Sequence, residues 1–255
     1  MFGLLKSKKT KPKPKTYQLG DFELPVVTNS RRKSIALKHK AGKVYFEVPQ
    51  RASTKLIQSV IEKHQAFFLR QAEKLHLAIE QAFTGRHGEC FQLFGEQYQI
   101  QWLMVSDSTS SFELCQQNRV FKVLFSDGLD EQQKLAKSQQ VIVNFFKQTA
   151  VDYLQQKLDF YADEMELNYQ SLTVKAYKSR WGSCYSDGRI QFNWRLMQAP
   201  EWVIDYVVVH ELAHLVHHNH SKPFWQLVEK YYPLTKAAKR ELKIHGPDWI
   251  QLLQN

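Results

Sequence analysis

Long apolar runs are missing from this chain. No stretch approaches the ~20 residues that a bilayer-spanning helix needs, so a transmembrane helix is not expected. The opening MFGLLKSKKTKPKPK turns to lysine too early to hold the apolar core of about seven residues or more that defines a secretory signal. Cysteine is scarce, with three residues (Cys90, Cys115, Cys184) that are odd in number and widely spaced. That pattern implies no disulfide framework. The expectation is a cytoplasmic protein with reduced thiols and no membrane association. Acidic residues are absent from two stretches. Residues 1–16 carry six lysines and no acid, and residues 31–43 carry six basic groups and no acid. Asp21 and Glu23 lie between these stretches, and from residue 44 onward 23 basic groups balance 23 acidic ones. The formal net charge of +10 is therefore local, which argues against a globally basic nucleic-acid-binding domain but leaves room for a basic tail or patch.

What is present is a globular composition: 43% hydrophobic residues and 13% aromatics exclude a wholly disordered chain. The rhythm along the chain predicts an α+β fold. Residues 1–16 read as a disordered basic tail. Residues 17–128 read as a β-rich part with one long helix. Ser34–Leu37 and Val44–Val48 flank a hairpin turn at Ala41-Gly42-Lys43. Ser53 or Thr54 caps a helix running to about Ala82, with Leu56, Val60, Ile61, Phe67, Phe68, Leu75 and Ile79 as its apolar positions. Phe91–Met104 and Phe112–Phe125 read as strands, with turns at Phe94-Gly95-Glu96 and Ser106–Ser111. A change of rhythm near residue 128 opens a second part, 129–255, with a helix from about Asp130 to Glu166. No internal repeat is evident.

The chemistry concentrates at residues 200–225. Pro200 and Glu201 suit a helix start, and the apolar residues that follow surround the helix almost completely. A helix apolar all round is buried. Into it the sequence places His210, Glu211 and His214, polar groups that need partners in such a setting. Residues i and i+4 share a face, so the two imidazoles can converge on one cation. Glu211, about 100° around the helix, is better placed to reach a metal-activated water than the metal itself. This is the physical content of H-E-x-x-H as a zinc hydrolase motif, with Glu211 as general base. In a chain with ten histidines the motif arises by chance with odds of roughly a few per cent.

A third ligand is expected from His220, six residues after His214 on the loop to the next helix, which Ser221 can cap and Pro223 can enter. His245 and Cys184 compete for that position. The Gly of the metzincin spacing is His217 here, and no Met-turn is identifiable, so that family does not follow. His217 and His218 are read mainly as structural or solvent-facing, or else as second-sphere groups.

Four blocks in order are Arg180-Trp181-Gly182-Ser183-Cys184, Ile190–Leu196, Tyr206–His214 and Asn219-His220-Ser221 with Phe224-Trp225. In that order they resemble the YgjP-like metallopeptidase family, more weakly also through Arg31–Ser34 and Phe94–Tyr98. The resemblance implies zinc (Zn2+) on His210, His214 and His220, Glu211 as base, and a zincin-like α+β catalytic part in 129–255. It also implies a peptide or protein substrate. A strand, a turn at Ser186-Asp187-Gly188 and a return strand at Arg189–Trp194 follow Tyr177. There, Arg180, Trp181 and Ser183 could line a cleft, or Trp181, Cys184 and Trp194 could be core under the active-site helix. The alternative function is a nucleic-acid-associated protein that uses its basic tail and 31–43 patch, with proteolysis secondary or absent. A metal-binding scaffold is a third reading, which the intact Glu211 argues against.

Overall fold

Turn and cap chemistry sets where the elements begin. The computed structural model describes residues 16–40, 42–80, 82–106 and 111–253. The chain divides into two compact units, the first ending at Ala82 and the second spanning Phe83–Gln254. Among the described residues these hold six α-helices and three small sheets, a mixed α+β architecture. No helix among them is long and apolar enough to cross a membrane. The lysine-rich residues 1–15 lie outside the described residues, and Thr16 already belongs to the first strand.

The first unit is a four-stranded sheet with two helices. Its strands are β1 (Thr16–Leu19), β2 (Phe22–Asn29), β3 (Ala36–Lys40) and β4 (Lys43–Pro49), in the order β1-β2-β4-β3. The β3–β4 hairpin turns at Gly42 as expected, with Lys40 opposite Lys43. The expected long helix is two: α1 (Thr54–Lys63), which the Ser53 hydroxyl caps by accepting from the Leu56 N–H at 3.2 Å, and α2 (Gln65–Glu80). They separate at His64, whose backbone leaves the helical region (φ −114°, ψ 25°) with no Pro or Gly to mark it. The buried positions are Ile57, Ile61, Phe68 and Ala72, while Leu56 and Phe67 stand exposed.

The second unit opens with strands β5 (Cys90–Leu93), β6 (Glu96–Met104), β7 (Phe112–Cys115) and β8 (Val120–Phe125), in the order β5-β6-β8-β7. Each of the two stretches expected here is a hairpin, β5 with β6 around the expected turn at Phe94-Gly95-Glu96 and β7 with β8. Helix α3 (Glu131–Glu164) starts at a capping box: Asp130 Oδ1 accepts from the Gln133 N–H at 2.8 Å, and Gln133 Oε1 accepts from the Asp130 N–H at 2.9 Å. Its buried positions include Ser138, Ile142, Phe146, Ala150, Leu154, Leu158 and Ala162, one every four residues. Each such step overshoots a full turn by about 40°, so the stripe winds around the helix. The N-terminal half packs Phe145 and Phe146 on Phe91, Phe112 and Phe121 of the sheet, and the rest meets the elements that carry the chemistry. The change of rhythm near residue 128 therefore lies inside this unit, because β5–β8 share one core with α3.

The remaining elements are β9 (Ser171–Lys175), β10 (Gly182–Cys184), β11 (Arg189–Asn193), a 3-10 helix at Trp194–Gln198, α4 (Glu201–Ala213), α5 (Lys222–Tyr231) and α6 (Thr235–Gln251). The sheet order is β10-β11-β9, with β10 at an edge. The β5–β6 turn fixes the start of α4. Gly95 has φ 81°, and a Cβ there would come within 2.9 Å of Pro200, so only glycine allows the approach. The Phe94 and Gly95 N–H groups donate to the Met197 and Gln198 carbonyls at 2.8 and 3.1 Å.

Candidate metal centre

Helix α4 is buried on nearly every side, as its sequence requires, and its last turn carries the polar groups. His210 and Glu211 lie in that turn, and His214 is the residue just past it, still in helical geometry. The chain leaves the helix and returns through Asn219, whose Oδ1 accepts from the Ser221 N–H at 3.2 Å, a side-chain turn that folds the loop bearing His220. Ser221 takes the capping position of α5 without a side-chain hydrogen bond, and a proline occupies the first turn.

The loop brings His220 onto the α4 histidines. One nitrogen each from His210, His214 and His220 lies within 4.8 Å of the others, and Nε2 of His210 and Nε2 of His220 are 3.1 Å apart. Two imidazole nitrogens at about 2.05 Å from one tetrahedral zinc would sit about 3.3 Å apart, so the spacing fits such an ion. His214 Nδ1 donates to the His217 carbonyl at 3.1 Å, which fixes the tautomer and leaves Nε2 with a lone pair. His217 thus contributes through its backbone rather than its ring, and His218 is exposed. Burial pushes the His210 imidazole down to about 3 and lowers that of His214 too, so both present neutral nitrogens. The donor set suits zinc.

Phe224, fully buried at the start of α5, packs on all three rings at 4.5–5.0 Å. Trp225 stacks on His220 at 5.4 Å, with the Lys239 ammonium 3.8 Å from its ring. The competing ligands lie elsewhere. His245 pairs with Glu241 at 3.5 Å and stacks on Trp249, and the Cys184 thiol donates to the Tyr185 carbonyl at 3.5 Å. Neither belongs to the histidine cluster.

Glu211 is 5% exposed, and burial raises its carboxyl to about 8 against the opposing charge of Arg180. Edge strand β10 lies directly on it: a Cβ at Gly182 would come within 2.5 Å of Glu211 Oε1. The glycine of the Trp181–Cys184 block is thus the residue that lets a strand touch the carboxylate. Trp181, Gly182, Tyr206, His210 and Glu211 line a cavity of about 230 Å³. Trp181 is half-buried and serves both readings, walling this cavity and packing edge-on to Trp249. Trp194 is core, 1% exposed.

Three groups had gone without a role in the sequence. Buried Asn193 donates through Nδ2 to the Tyr177 and Arg180 carbonyls at 3.0 and 3.1 Å, and its N–H bonds the Trp181 carbonyl at 2.7 Å. It staples the approach to β10. The Tyr206 hydroxyl lies 3.5 Å from His210 Nδ1. Arg195 donates to the Leu252 and Leu253 carbonyls at 2.5 and 2.9 Å, tying down the end of α6. Membership of the Ile190–Leu196 block is the one signal for Asn193 and Arg195 in the sequence.

A buried helix that ends in converging imidazoles, with a carboxylate pressed against a sheet edge beside them, defines a metal-dependent hydrolase type of site. Residues 33–245 match the family described as YgjP-like, metallopeptidase domain, and the chain belongs to that family. The crystal structure of the metallopeptidase zymogen of Pyrococcus abyssi abylysin is similar over 36% of this chain and 92% of its own, at 25% identity and a TM-score of 0.33. No curated protein matches the chain.

Proposed function

We propose that the protein is a zinc-dependent, zincin-like peptidase with His210, His214 and His220 as ligands and Glu211 as general base. The observation that carries this reading is the convergence of the three imidazoles beside a buried carboxylate in a chain of a metallopeptidase family. Zinc, when bound, supplies a Lewis acid that activates water and polarises the scissile carbonyl. The chain's own groups do the rest. The His217 carbonyl and Tyr206 orient two of the ligands. Glu211 takes the proton of the attacking water and returns it to the departing amine. A substrate chain lies extended along the open edge of β10, its reacting carbonyl beside Glu211 and one side chain in the cavity between Trp181 and Tyr206.

The test is purified full chain assayed for zinc by elemental analysis and for peptide release from an unfolded protein. One zinc per chain is expected, with activity lost to a chelator and restored by zinc. Glu211→Gln should keep the metal and lower kcat by about 10²–10⁴-fold, the usual contribution of a general base. Sub-stoichiometric zinc in the wild-type chain, or full activity in Glu211→Gln, would overturn the reading.

A further inference from the structure

The basic patch at 31–43 takes no part in the metal centre, and it borders a cavity of the first unit. That cavity, about 670 Å³, runs between the stretch leading into β3 and the helices α1 and α2. Ile35, Leu37, Val60 and Phe68 line it, and so do Leu56 and Phe67, which are 54% and 53% exposed. These last two are the positions that a continuous core stripe would have buried. Large apolar side chains gathered at one groove mark a binding surface more than scattered ones do.

The Lys and Arg side chains that line the groove are Arg32 and Lys33, and no acid lines it. Residues 31–43 around it carry six basic groups and no acid, and the nearest acid in sequence is Glu47. That acid is already engaged, accepting from Arg32 at 2.7 Å and Asn29 at 3.1 Å. Strand β3 is an edge of its sheet, with no strand on its outer side among the described residues. An edge strand offers unpaired N–H and C=O groups to an extended segment, whose alternate side chains then point to opposite sides.

We propose that this groove docks an extended segment of a partner polypeptide with alternating apolar and acidic residues, the apolar ones entering the groove and the acidic ones meeting the rim. Charge complementarity selects this occupant. The chain's own residues 1–15 carry six lysines and no acid, so the rim repels them, and a second copy would set two basic rims face to face. A polynucleotide is disfavoured by the walls. Ile35, Leu37, Leu56 and Val60 are aliphatic and Phe68 is buried, which leaves Phe67 as the one exposed phenyl ring, short of the succession of aromatic faces on which a strand of bases stacks.

The experiment is a fluorescence-polarisation titration of full chain, with chelator present, against a labelled dodecapeptide alternating Glu with Leu and Val. Controls are the same peptide with Lys for Glu and a single-stranded RNA dodecamer. The acidic peptide should bind, with affinity falling as salt rises. Its Kd should rise at least tenfold in Leu56→Ser/Phe67→Ser and in Lys33→Glu, all surface changes whose melting curves should stay close to wild type. The proposal is overturned by no binding of the acidic peptide, by equal binding of the lysine peptide, or by variants that bind as wild type does. It is overturned equally if RNA binds and loses affinity with Phe67, or if the double variant abolishes a self-association. Because metal is absent throughout, this result is independent of whether the chain proves to be a peptidase.

Discussion

Gly182 and Glu211 show how much of the site depends on one missing side chain. The strand can rest on the carboxylate because position 182 has no Cβ. Gly182→Ala must push Glu211 or β10 aside, and a misplacement of about 1 Å can cost about 10²-fold in rate. The expected outcome is a loss of that order in kcat with zinc content unchanged, read by turnover and elemental analysis together. Cys184, two residues further along the same strand, is a different case. Burial, with Glu211 and Asp187 nearby, pushes its thiol up to about 11. A raised thiol pKa leaves the neutral form dominant below that value, and the thiolate is the nucleophile. Iodoacetamide at pH 8 should therefore label exposed Cys90 well before Cys184, as peptide mass mapping would record, with Cys184 catching up only as pH nears 11. Equal labelling at pH 8 would mean that β10 opens. Of the residues in the centre, His210, Glu211 and His214 were legible from spacing alone, while His220 was one of three candidates for the remaining position. Asn193 and Gly182's contact were not, since each acts through a neighbour distant in sequence, and Tyr206, one turn before His210, read as part of the helix's apolar surround.

Among the elements, α3 was the most readable and the α1–α2 pair the least. Asp130 and Gln133 announce the α3 start, and the structure forms both bonds of the capping box. Asp130→Ala should cost about 1 kcal/mol. Phe146→Ala, which removes a ring packed on Phe91 and Trp194, should cost about 3–5 kcal/mol. Denaturant midpoints at constant slope would measure both, and a capping loss as large as the core loss would refute the ranking. The winding of the α3 stripe explains how a single helix carries both the β5–β8 sheet and the elements around α4. The break at His64 left no trace in the sequence, because the apolar residues on either side fit one continuous helix as well as two. Strand β9 also went unseen. It pairs in parallel with β11, and such pairing depends on a partner that comes later in the chain.

At the scale of the whole molecule, two cores form with no residue in common. The two four-stranded sheets also share a topology, each made of two hairpins whose inner strands run parallel: β2 with β4, and β6 with β8. Faint sequence echoes accompany it, Tyr17-Gln18-Leu19-Gly20 against Phe91-Gln92-Leu93-Phe94-Gly95, too short to stand out before the sheets align them. Separate cores predict separate melting. Phe46→Ala, at a fully buried position of the first core, should lower one calorimetric transition, while added zinc should raise the other. A single transition moved by both would show that the units unfold as one. The sequence by itself determined that His210 and His214 share a face at the end of α4, because i and i+4 on a helix are neighbours wherever that helix lies, and it set the Ser53 and Asp130 caps and most hairpins for the same local reason. Only the tertiary structure decided that His220 rather than His245 or Cys184 joins the α4 histidines, that Gly182 seats Glu211, and that Leu56 and Phe67 open onto a groove. Each of those depends on which distant segments pack together, and packing is a property of the whole set of buried surfaces rather than of any one stretch.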